Sequence, residues 1–93
     1  MGEIACGTYI GNNQLTQTVT LAFSPTAVLV WKKAITEDEI KGGIYGGLAV
    51  LDSPLVGTKR NILEITGTGF TVAKGGNAAT NIKDVVYNYV AMN

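Results

Sequence analysis

The chain is 93 residues long, with 46% hydrophobic and only 15% charged residues, and seven basic side chains balance seven acidic ones. That length fits one domain over 1–93, and a composition this apolar excludes disorder. The zero balance argues against the basic stripe that nucleic acid requires. A chain with no histidine and one cysteine excludes zinc sites and histidine-dependent nucleophiles.

A domain of this size buries roughly 60–65% of its unfolded surface, so its surplus stability is small and self-association would add to it. Near-zero net charge favours the same outcome. No apolar run approaches the roughly 18 residues of a membrane span, so no membrane partner is expected. The start of the chain has neither a basic region nor a long apolar region, so no signal peptide is expected. Gly2 follows Met1, but Cys6 stands where a myristoylation motif wants Ser or Thr.

Strand signals then run along the chain. Ile4 to Ile10 reads as a first strand, with Ile4, Cys6, Thr8 and Ile10 on one face. Free cysteine is commonly buried, so Cys6 is expected inside. Gly11-Asn12-Asn13 is a turn signal, which predicts a hairpin between the first two strands. Thr18 to Phe23 alternates, with Val19, Leu21 and Phe23 on one face, until Ser24-Pro25 breaks the ladder. Ala27 to Trp31 is apolar on both faces, as in a central strand covered on both sides or meeting a partner chain on one.

Thr36 with Glu39 fits a capping box, so one short helical turn is expected near 36–41. Gly42-Gly43 stops it. Ile44 to Leu51 reads as a strand carrying a glycine pair, and Asp52-Ser53-Pro54 as a turn. Asn61 to Thr66 and Phe70 to Val72 are two further strands, and 75–81 is a loop of small residues. Val85 to Met92 closes the chain as its longest strand signal. Tyr87 and Tyr89 share one of its faces, and Val86, Val90 and Met92 the other. About seven strands with turns between them predict an antiparallel, jelly-roll-like β-sandwich.

The chemistry available is narrow. No phosphate-binding glycine loop occurs. Glu37-Asp38-Glu39 is the only dense acidic group; with lysines on both sides it reads as a solvated segment and not as a calcium loop. No metal ligand set and no cofactor are therefore expected. Trp31, Tyr45, Tyr87 and Tyr89 offer aromatic faces for stacking on sugar rings, or else core and subunit packing. Asn12 and Asn77, like Asn13 and Asn81, offer loop amides for a glycan, or else turn chemistry.

Gly7-Thr8-Tyr9-Ile10-Gly11-Asn12, followed by the run from Thr18 through Pro25 to Val30, resembles a segment common in bacteriophage tail and tail-fibre proteins. Gly69-Phe70-Thr71-Val72 and the closing Val86-Tyr87-Asn88-Tyr89-Val90-Ala91-Met92 resemble the end of the same modules. The resemblance implies a non-enzymatic phage or prophage appendage module. Such modules assemble as homo-oligomers, a trimer by analogy, and bind cell-surface glycans. It also implies a location in the virion, or in the host bacterium's cytoplasm before assembly. It carries over no catalytic residue. The alternative reading is a stand-alone bacterial carbohydrate-binding, lectin-like domain.

Overall fold

The computed structural model describes residues 2–33, 46–56, 60–74 and 80–93. These form eight strands: β1 (Ile4–Ile10), β2 (Thr16–Thr20), β3 (Ala27–Lys32), β4 (Gly46–Val50), β5 (Leu55–Val56), β6 (Asn61–Thr66), β7 (Gly69–Ala73) and β8 (Val86–Met92). They make two four-stranded sheets, ordered β1-β8-β3-β4 and β2-β7-β6-β5, with every pairing antiparallel. The protein is an all-β sandwich. The eighth strand, missed in the sequence, is the two-residue β5. The helical turn expected at 36–41 lies outside the described residues.

The predicted hairpin between the first two strands does not form. β1 pairs with β8 and β2 pairs with β7, so the pair is split between the sheets. Backbone hydrogen bonds of Gly11 and Asn13 go to Val85 and Asn81. They hold the connection against the segment before β8 and carry the chain across the sandwich end. Gly11 is required there, because a Cβ would stand 2.0 Å from the Ile82 carbonyl oxygen.

The core lies between the sheets. Val28 and Val30 of β3, Ala49 of β4, Leu63 of β6, Phe70 and Val72 of β7, and Tyr87 of β8 are fully buried. Val19, Leu21 and Phe23 pack inward as their alternation predicts, although β2 itself ends at Thr20. Tyr9 stacks on Tyr87 with ring centroids 5.1 Å apart, and Phe70 sits between Tyr9 and Tyr89 at 6.1 and 5.2 Å. Gly7 makes room for this cluster, since its missing side chain lets the Tyr89 ring lie over its cross-strand partner.

One end of the core is closed by a polar plug. Tyr9 Oη donates to the Thr80 carbonyl at 2.7 Å. The Thr80 hydroxyl accepts from the Ala73 N–H at 3.1 Å and donates to the Ile62 carbonyl. It thus bridges β7 to β6 just beyond their last direct pair near this end, Leu63 with Val72. Asn81 is buried beside it, and its amide group donates to Gln14 O at 3.0 Å and to Asn12 Oδ1 at 2.8 Å. A buried polar group is tolerated only when paired in this way.

Candidate functional site

The two outer faces of the sandwich differ in chemistry. On the β2-β7-β6-β5 sheet, Thr16, Thr18 and Thr20 of β2 point outward beside Thr71 of β7 and Glu64 and Thr66 of β6. Thr71 Oγ1 lies 3.2 Å from Thr18 Oγ1 and 3.0 Å from Thr66 Oγ1, a hydroxyl ladder suited to water.

The outer face of the other sheet is apolar. Its cross-strand registers place Ile4, Met92, Ala27 and Val50 in one row. Cys6, Val90, Leu29 and Leu48 form the next, then Thr8, Asn88, Trp31 and Gly46. Ile10 and Val86 lie beyond. Among the described residues ten large apolar side chains are exposed, and seven of them stand on this face. Leu29 is 42% exposed, Trp31 50% and Leu48 55%. The first three rows carry no charged side chain; beside Val86 the face ends at the exposed Lys33, whose backbone N–H bonds the Val86 carbonyl.

The sequence made β3 apolar on both faces, and the structure resolves that pattern. Val28 and Val30 face the core; Leu29 and Trp31 face outward and are exposed, with nothing among the described residues covering them. Cys6 was expected inside but is exposed. Its strand is apolar on both faces, and Tyr9 takes the inner one because its ring stacks on Tyr87 and its hydroxyl finds Thr80. Cys6 therefore goes outward with Ile4 and Ile10.

The aromatic candidates separate. Trp31 stands on the outer face opposite Asn88. Together with Leu29, Tyr89 and Val90 they line a shallow, mostly apolar depression of about 70 Å³. Tyr87 is fully buried and belongs to the core; Tyr89 is half-buried against Phe70. Tyr45 and Asn77 lie outside the described residues. Asn12 is a turn residue: its Oδ1 accepts from the Gln14 N–H at 3.0 Å and from Asn81 Nδ2, and its own N–H donates to Asn81 Oδ1 at 3.1 Å. Those bonds occupy the Asn12 carbonyl oxygen and not its Nδ2 group. Asn13 has a φ of 59°, the left-handed turn conformation.

A second depression, of about 110 Å³, lies where the β4–β5 turn meets β6 and is lined in part by Asp52 and Glu64. Ligand pockets run to roughly 300–1,000 Å³, so it is too small to enclose an organic substrate. Asp52 has a φ of 67° and is the turn former between Val50 and Ser53, whose backbones bond each other. Among the described residues no three His, Cys, Asp or Glu side chains converge as a metal site. No helix among them is long and apolar enough to cross a membrane.

The residues missed in the sequence are those of the apolar face outside β3: Ile4, Ile10, Leu48, Val50 and Met92. Each was visible as an apolar residue on one parity of a strand. That the parities coincide depends on which strands pair, and local sequence does not encode that. Comparison of the chain with protein-family models, with curated proteins and with solved structures finds no match.

Proposed function

We propose that this protein is a non-enzymatic, virion-associated structural or adhesion module of phage or prophage type, acting through surface contact and assembly. The observation that carries this reading is the contrast between the two outer faces. One sheet presents hydroxyls to water, while the other presents a continuous apolar surface, charged only at its Lys33 end, of the kind that marks a contact site. Four strands about 4.8 Å apart, with up to seven residues rising roughly 3.3 Å each, give that face roughly 400 Å² in projection. The motif order shared with tail and tail-fibre modules supplies the biological setting.

The second reading, a carbohydrate-binding domain, is favoured by one observation. Trp31 and Asn88 stand side by side on the outer face, an aromatic plane next to a free-standing amide. The two readings separate in solution. Light scattering of the purified chain over a range of concentrations should show a mass above that of one chain. A strict monomer that binds immobilised glycans on an array would overturn assembly in favour of the lectin reading.

A further inference from the structure

We infer that the partner of the apolar face is another copy of this chain, stacked on it sheet against sheet. This inference rests on the assembly reading above and names its surface. Three observations select the occupant. First, the three central rows of the face carry no charge, its one lysine, Lys33, stands at the end beside Val86, and the chain's net charge is zero, so two copies meet without repulsion over the apolar rows. A charged partner would gain no ion pair over those rows and would lose its hydration.

Second, its only polar side chains in the mapped rows, apart from the thiol of Cys6, are Thr8 and Asn88, both at one end. A glycan laid across the centre would leave its hydroxyls unpaired over Leu29, Leu48 and Val90, which is costly. An identical apolar face has no such groups to strand. Third, the scale is right. Two faces of roughly 400 Å² in projection remove on the order of 1,000 Å² when stacked, which reaches the lower bound of a specific interface. The face also carries both a knob and a hollow, since Trp31 projects next to Gly46 and beside the depression it shares with Val90. Sheets stacked in this way sit about 10 Å apart.

The test uses the full chain and two lysine variants on opposite faces. Leu48→Lys places a charge in the apolar face at a side chain that is already 55% exposed, so the fold should hold; circular dichroism checks it. Thr18→Lys places the same charge on the hydroxyl face. The wild-type chain and Thr18→Lys are expected to share one assembled mass. Leu48→Lys is expected to fall to a single chain of 9.8 kDa. Cys6 supplies a native reporter on the same face. Where about nine in ten chains are assembled, its alkylation should be about tenfold slower than in Leu48→Lys.

An assembled protein whose mass is unmoved by Leu48→Lys would overturn this inference and leave assembly standing. So would one dispersed by Thr18→Lys instead. A wild-type chain that stays at 9.8 kDa at every concentration would overturn both.

Discussion

Replacing Thr80 by Val tests the polar plug that closes the sandwich end. Valine has nearly the shape of threonine, so packing around the fully buried side chain is kept. What is lost is the hydroxyl that accepts from Ala73 N–H and donates to the Ile62 carbonyl. Both backbone groups lie between β6 and β7, where water cannot replace the lost partner. Each stranded buried group costs about 1–3 kcal/mol, so the pair should cost about 2–6 kcal/mol. At about 0.05–0.15 kcal/mol per residue the whole domain holds about 5–14 kcal/mol. The variant therefore gives up a large part of its stability. Urea unfolding followed by circular dichroism should show a lower midpoint at unchanged slope. Thr80→Ser keeps the hydroxyl and should retain most of it. If the Val and Ser variants unfold at the same urea concentration, the hydroxyl bridge contributes nothing and the reasoning fails.

Three further outcomes follow from the same structure. Phe70→Ala empties the centre of the aromatic cluster and should cost about 3–5 kcal/mol in the same urea assay. Gly11→Ala should be destabilising too, because its Cβ would press on the Ile82 carbonyl; retention of the wild-type midpoint would contradict the close approach. Burial of Tyr9, reinforced by the neighbouring Tyr87, pushes its phenol above the ordinary 10.0, against a smaller opposing effect of its hydrogen bond to Thr80. A raised value in the folded state means that the unfolded chain releases this proton first. Its contribution is therefore complete below pH 10 and declines above it, by up to about 1.4 kcal/mol per pH unit. Tyr9→Phe should be less stable at neutral pH, through loss of the bond to Thr80, and should lose stability less steeply between pH 10 and 11.

The strands themselves were largely legible, because period-two alternation survives in Thr18–Phe23 and in the closing strand regardless of partners. Short β5 was not, since two residues cannot show a period. Pairing was not legible either. Gly11-Asn12-Asn13 has hairpin chemistry, yet its backbone bonds lead to Val85 and Asn81, far along the chain. The inward side of β1 was ambiguous for a physical reason. Both parities are apolar, and the outcome turned on partners for Tyr9 that only the fold supplies. For the same reason the site was half visible. Trp31 could be singled out as a residue type, but the surface it belongs to is assembled from four strands brought together by long-range register.

Trp31 is the only tryptophan in the chain and stands, half exposed, on the apolar face. Its emission therefore reports directly on whether that face is covered. The decisive measurement follows Trp31 fluorescence and solution mass together on dilution. A covered face predicts emission that is blue-shifted and shielded from acrylamide at high concentration, moving red as the mass falls to one chain, with a single shared midpoint. Emission that stays red and quenchable at every concentration, or a mass that changes while Trp31 does not, would contradict the account.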